Sequence, residues 1–303
     1  MPMCSTELLQ GQRIGFGTAG LSVAVPAPRD VARSVVHAAL DAGVRLLDTA
    51  ASYIPDHQAV GHNEKVIADA LSAWTGDRSS VIVSTKGGMI RATTIDYSTD
   101  LATCGCRRCI ISDCDTSLRA LDVDQVALYQ LHAPDPRTPI EESVRTMAEL
   151  QQAGKIREIG LSNIGLDDLT RAESVTRIAS VQNRLNPADL ASLAVLRACE
   201  KSGILFLAYS PLGGLGGAAR RLAARSEAFA GVAGAKGTST QSVILAWERA
   251  LSPVLVPVVG ARRPETIRDS ASFSTMRLTD EEVALLDAAV GLPGLDSPAE
   301  NLG

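Results

Sequence analysis

A single (β/α)8 barrel spanning residues 1–303 is the fold this sequence predicts, and three observations carry it. Short apolar runs rich in Val, Ile and Leu recur along the chain, as strands buried on both faces require. Amphipathic stretches separate those runs at a regular interval, with no linker-like segment between them. The length of 303 residues exceeds an ordinary domain but suits an αβ barrel built as one unit.

Strand candidates begin near Ile14, Arg45, Val81, Gln125, Glu158, Ile178, Leu205 and Val254. Between them, Val31 to Asp41 reads as a helix stopped at Gly43, and Asn63 to Ala73 as one ending before Gly76. Ile140 to Ala153 stops at Gly154, and Leu190 to Ser202 stops at Gly203. Glycine at these positions supplies the left-handed residue that commonly ends a helix. Thr279-Asp280-Glu281-Glu282 opens a last amphipathic segment like a capping box, a hydroxyl followed three residues later by Glu. A doubly wound sheet is the rival architecture. It is weakened because no G-x-G-x-x-G opens the first helix.

Composition narrows the function classes. The net charge is −5 with 46% hydrophobic residues, and no basic run suggests nucleic acid. No stretch approaches the ~20 apolar residues of a membrane span. The opening Met1-Pro2-Met3-Cys4-Ser5-Thr6-Glu7 lacks the charged and apolar regions of a signal peptide, so the cytoplasm is the expected compartment.

Four polar residues follow the apolar runs closely: Asp48, Tyr53, Lys86 and His132. If the runs are parallel strands of one barrel, these side chains gather at its C-terminal rim, where barrel active sites lie. An acid, a phenol, an amine and an imidazole brought together there make a proton-transfer site.

Seven stretches in order resemble the aldo-keto reductases over nearly the whole chain. They are Gly15-Phe16-Gly17-Thr18; Asp41-Ala42-Gly43 with Leu47-Asp48-Thr49-Ala50 and Tyr53; Ser84-Thr85-Lys86; and Asp124 to His132. Then come Gly154-Lys155-Ile156-Arg157 with Ile159 to Asn163 and Gln182-Asn183; Ala208 to Gly213; and Val256 to Arg262. The resemblance implies an oxidoreductase using NADPH to reduce an aldehyde or ketone. Tyr53 would be the general acid. Its phenol ordinarily titrates near ~10, and Lys86 would lower that value. Asp48 would hold Lys86, and His132 would polarise the substrate oxygen. Alcohol oxidation on the same site, or a non-catalytic NADPH-binding subunit, are the alternatives.

Carried over residue by residue, Ser162, Asn163 and Gln182 match the family's partners for the nicotinamide carboxamide, and Tyr209 the aromatic stacked on the ring. Ser210, Leu212 and Gly213 would follow the pyrophosphate, with Thr18 and Gly260 as further contacts. Arg262 and Arg263 would meet the 2′-phosphate of NADPH, helped by Arg268. Ser270 stands where the family usually places an asparagine near adenine.

Cys104, Cys106, Cys109 and Cys114 form an unusual cluster after the third strand. Such spacing can suit zinc or iron–sulfur, but two separated ligand pairs are missing, so no metal is expected. Incidental thiols or a redox-sensitive loop fit better, and a reducing cytoplasm argues against a structural disulfide. The chain has only two Trp, four Tyr and four Phe, which points to a small or polar carbonyl substrate. In the segment after Tyr53, Asp56, His57 and His62 come close to the four polar residues, and either histidine could contact substrate. Oligomeric state does not follow from these residues.

Overall fold

In the computed structural model, residues 11–23, 25–55, 59–91, 101–214, 221–222 and 227–292 are described. The strands in chain order are β1 (Gly15–Gly17), β2 (Leu46–Asp48), β3 (Ile82–Gly87), β4 (Met89–Arg91), β5 (Leu101–Thr103) and β6 (Val126–Leu131). They continue with β7 (Ile156–Ser162), β8 (Ser180–Arg184), β9 (Leu205–Tyr209) and β10 (Leu255–Gly260). Eight of them pair in parallel in the order β1-β10-β9-β8-β7-β6-β3-β2 and close on themselves. The (β/α)8 barrel of the sequence reading is therefore the observed fold. Strands β4 and β5 form a separate antiparallel hairpin, an addition that the sequence reading did not include.

The helices are α1 (Arg29–Asp41), α2 (His62–Ala73), α3 (Arg107–Leu121), α4 (Ile140–Gln152) and α5 (Leu166–Glu173). After them come α6 (Leu193–Ser202), α7 (Glu227–Lys236), α8 (Thr240–Leu251), α9 (Pro264–Ser272) and α10 (Asp280–Ala289). Gly43, Gly154 and Gly203 all have positive φ just past a helix end, as expected of helix stops. Thr279 Oγ1 accepts from Glu282 N–H while Glu282 Oε2 accepts from Thr279 N–H, so the capping box closes in both directions. Helix α6 starts at Leu193 rather than Leu190, because a short turn precedes it, in which Leu193 N–H bonds to Leu190 O.

Two apolar layers result. Leu46, Ile82, Leu128, Leu207, Val256 and Val258 fill the barrel interior, and a larger layer lies between strands and helices. The inner layer sets up the functional site. Side chains alternate with period two along a strand, so the face carrying Leu46 also carries Asp48, and that of Ile82 carries Ser84 and Lys86. Likewise, Leu128 leads to Gln130 and then His132, and Leu207 to Tyr209. The interior is apolar below and turns polar at the C-terminal rim. Register fixes this alignment, with Asp48 opposite Ser84 and Lys86 opposite Gln130.

Candidate active site

Lys86 is buried and donates from Nζ to Asp48 Oδ2 at 2.7 Å and to the Thr49 carbonyl at 2.9 Å. The Tyr53 hydroxyl lies 3.5 Å from the same Nζ, and the ammonium stands 5.1 Å from the Tyr53 ring centroid. His132 packs edge-on against Tyr53, with centroids 5.7 Å apart. The four rim residues of the sequence reading thus converge on one point.

The electrostatics differ from the expectation in one respect. Burial pushes the Tyr53 phenol above its ordinary value, and Lys86, although it pulls the other way, does not outweigh it. The expected net lowering is therefore replaced by a net rise. Burial alone would lower the Lys86 ammonium, but Asp48 and Tyr53 raise it overall, so it stays charged. His132 is pushed down to about 3, first by burial and then by the nearby Lys86 charge, and is neutral at physiological pH.

Sequence reasoning missed the groups behind these residues. Ser52 Oγ lies 3.3 Å from His132 Nδ1; with the hydroxyl donating there, the ring proton sits on Nε2. Gln130 donates to Ser84 Oγ at 2.8 Å and reaches Asp48 Oδ1 at 3.4 Å. The signal was present: Gln130 lies two residues after an inward-facing Leu128. Gly87 is required by this packing, since a Cβ there would lie 1.9 Å from the Tyr129 hydroxyl.

A cavity of about 560 Å³ opens beside Asp48 and Tyr53 and runs past Tyr209, Ser210, Leu212 and Gly260 to Arg263 and Ser270. That size falls within the range of small-molecule sites. Asn163 and Ser210 hold φ of 57° and 53°, left-handed values that non-glycine residues seldom adopt and that cluster at functional sites. Asn163 Oδ1 accepts from the Tyr209 hydroxyl at 2.7 Å while its Nδ2 donates to the His132 carbonyl at 2.9 Å. Ser162 Oγ donates to the Gln182 carbonyl at 2.8 Å, and Gln182 Nε2 is buried without a protein partner. Gly213 borders a second cavity, of about 870 Å³, that also touches Arg184 and Phe229.

Six of the expected cofactor contacts line the cavity beside Tyr53, whereas Thr18, Ser162, Asn163, Gln182, Gly213, Arg262 and Arg268 do not. Thr18 is fully buried, its Oγ1 2.8 Å from the Asp48 carbonyl and 2.5 Å from Asn63 Oδ1, and it does not line the cavity. Arg262 donates from Nη1 to the carbonyls of Gly20 and Val25, at 2.6 and 2.8 Å, tying the loop after β1 to the end of β10. Arg268 is exposed and outside the cavity lining. Arg263 lines it, together with Gln241, Glu265, Thr266 and Asp269, which the sequence reading did not single out. His62 bonds Ser22 Oγ through Nδ1 at 2.9 Å. Asp56 and His57 lie outside the described residues.

The cysteine cluster departs from expectation: Cys104 and Cys109 are joined in a disulfide, while Cys106, Cys114 and Cys199 are free. The hairpin brings residue 104 back against the first turn of α3, with Cα atoms 6.1 Å apart, a normal bridging distance.

The family model described as the Aldo/keto reductase family matches residues 13–290. The chain belongs to this family. Among curated relatives of this aldo/keto reductase is the 6-dehydroglucose reductase of Novosphingobium aromaticivorans, 32% identical over 87% of this chain and 87% of that protein. The pyridoxine 4-dehydrogenase of Escherichia coli is 29% identical over 91% and 93%. Among solved structures, a glycerol dehydrogenase from Gluconobacter oxydans superposes with a TM-score of 0.79 at 27% identity, covering 95% of this chain and 94% of that one. An aldo-keto reductase from Klebsiella pneumoniae, solved with NADPH, gives 0.74 at 25%, covering 96% and 95%. Among the described residues of this oxidoreductase, no helix is long and apolar enough to cross a membrane.

Proposed function

We propose that this aldo/keto reductase uses NADPH to reduce a small polar aldehyde or ketone, with Tyr53 as the proton donor. The observation that carries the reading is the Tyr53 hydroxyl, set against the buried Lys86–Asp48 pair at the mouth of a cavity that Tyr209, Ser210 and Arg263 also line. The cavity suits the cofactor chemically. Arg263 in its lining supplies a guanidinium for phosphate, and Gln182 Nε2, outside that lining, is an unpartnered buried donor of the kind a carboxamide oxygen satisfies. Tyr209, Ser210, Leu212 and Gly260 would hold the remainder. When bound, the nicotinamide supplies hydride to the carbonyl carbon.

The residues of the chain do the rest. The Tyr53 hydroxyl and His132 Nε2–H hydrogen-bond the carbonyl oxygen and polarise it. As negative charge grows on that oxygen it becomes a stronger base than phenolate, and the proton moves to it from Tyr53. Lys86 stabilises the phenolate left behind, and Asp48 keeps the ammonium in place. The phenol is protonated at neutral pH and so ready to donate, and Lys86 opposes the weakening of the acid that burial causes. The dehydrogenases among the relatives support a second reading, alcohol oxidation, in which Tyr53 as phenolate takes the proton and alkaline pH helps.

The test is NADPH oxidation, followed by absorbance, against keto-sugars, small hydroxyaldehydes, pyridoxal and quinones. Tyr53→Phe is expected to bind NADPH normally and lose about 10²–10⁴-fold in kcat. Full activity in that variant removes Tyr53 as the acid. NADPH binding without turnover of any carbonyl or alcohol favours a non-catalytic binding role.

A further inference from the structure

Cys104, Cys106 and Cys109 lie outside the reduction chemistry just described, yet their three sulfurs all fall within 4.8 Å of one another. Cys104 and Cys109 are bonded, and the free Cys106 Sγ is 3.3 Å from Cys104 Sγ. All three residues are half-buried, so solvent thiols can reach them. Cys106 is the N-cap of α3, so the free thiol stands where the hairpin's end meets the helix that carries Cys109.

The backbone of the cluster is pinned on several sides. Cys104 N–H donates to the Gly88 carbonyl at 3.0 Å, and Gly105 N–H donates to Asp135 Oδ2 at 3.0 Å. Ser143 Oγ donates to the Gly105 carbonyl at 2.8 Å, and Arg137 Nη2 to that of Thr103 at 2.5 Å. The frame therefore holds the sulfurs together whichever pair is bonded. Cys114 and Cys199 are fully buried and take no part.

We propose that Cys104, Cys106 and Cys109 form a second reactive site, one that carries out thiol–disulfide exchange with Cys106 as its internal nucleophile. The Cys106 thiolate attacks Cys104 Sγ, a Cys104–Cys106 bond forms, and the Cys104–Cys109 bond breaks. Cys109 leaves as thiolate and takes up a proton from water, replacing the one Cys106 lost. No net electrons move in that step. A small dithiol opens either disulfide by giving two electrons and two protons, and leaves as its own cyclic disulfide. Substrates of this site are accordingly small thiols and dithiols, and the Cys104 pivot is common to both bonded forms.

The experiment uses the intact chain, reduced with dithiothreitol, reoxidised with diamide and alkylated with iodoacetamide while folded, at about pH 8 where thiolate is available. Peptide mass spectrometry then locates the label. The expected result is label divided between Cys106 and Cys109 in the wild type, and a Cys104–Cys106 disulfide recovered in C109S. C106S should keep Cys104–Cys109 and carry label at neither position. Absence of label at Cys114 and Cys199 reports that each protein stayed folded. Label on Cys106 alone in the wild type, with no Cys104–Cys106 bond in C109S, overturns the proposal. So does one equivalent of zinc retained by the reduced wild type and lost in C106S, which would make the three thiolates a metal site instead.

Discussion

Tyr53 stands between two opposing influences, burial that raises its phenol and the Lys86 ammonium that lowers it, and burial prevails. Because an acid with a raised value keeps its proton to higher pH, the reductive kcat/KM should hold until above pH 10 before it falls. His132, already neutral down to about pH 3, adds no inflection between pH 5 and 8. A pH–rate profile checks both statements, and an inflection near 6.5 that disappears in His132→Gln would contradict the second. At the far end of the cavity, Arg263 is flanked by Glu265 and Asp269. Arg263→Ala should raise KM for NADPH about tenfold with little change for NADH, while Glu265→Gln should lower KM for NADPH, since a carboxylate repels phosphate. Steady-state kinetics with both cofactors measures this, and equal losses with the two would place the 2′-phosphate elsewhere. Adjacent arginines look alike in a sequence. That Arg262 turns to the Gly20 and Val25 carbonyls follows from where the loop after β1 lies.

Strand and helix boundaries were legible wherever a residue type forces the backbone, as at Gly43, Gly203 and the Thr279 cap. The hairpin β4–β5 was not, because its pairing depends on the chain folding back over the barrel and leaves no periodic mark in six paired residues. The Cys104–Cys109 bond escaped for the same reason: a compartment argument addresses redox potential, whereas the hairpin determines proximity. The four rim residues were legible because period-two alternation continues the inner face of β2, β3 and β6 up to the mouth. Helix α8 contains a conflict with its own packing. Glu248 is fully buried, and neither carboxyl oxygen has a hydrogen-bond partner. Burial raises its carboxyl well above the ordinary value. The unfolded chain then ionises first, so this group's contribution to stability is greatest below about pH 4.5 and declines as pH rises toward the folded value. Glu248→Leu should therefore stabilise the protein by about 1–3 kcal/mol at pH 8 and by less at pH 5. Urea unfolding at the two pH values measures it, and an equal or opposite effect would mean the carboxyl is satisfied.

The barrel joins residues far apart in sequence at one rim. Asp48 and Lys86 lie on β2 and β3, His132 directly follows β6, and Arg263 follows β10. None of these residues forms a site until the strands have closed, so cofactor affinity should report on the entire fold. NADPH held at 100 times its Kd is expected to stabilise the chain by about 2.7 kcal/mol through mass action. In Arg263→Ala the same gain should appear only at proportionally higher NADPH, while NADH stabilises both proteins alike. Thermal shift against cofactor concentration checks this, and a midpoint independent of NADPH would sink it.

The β4–β5 hairpin supplies no strand to the barrel. The eight-membered ring keeps its register without it, so selection can lengthen, shorten or exchange this segment with little penalty to folding. The residues just after it, Cys104 and Gly105, bond the Gly88 carbonyl and the carboxylate of Asp135, three residues beyond His132. Change in the hairpin and preservation of the ring that carries the reacting groups thereby fall on different stretches of one chain, and descendants of this protein can diverge in the first while retaining the second.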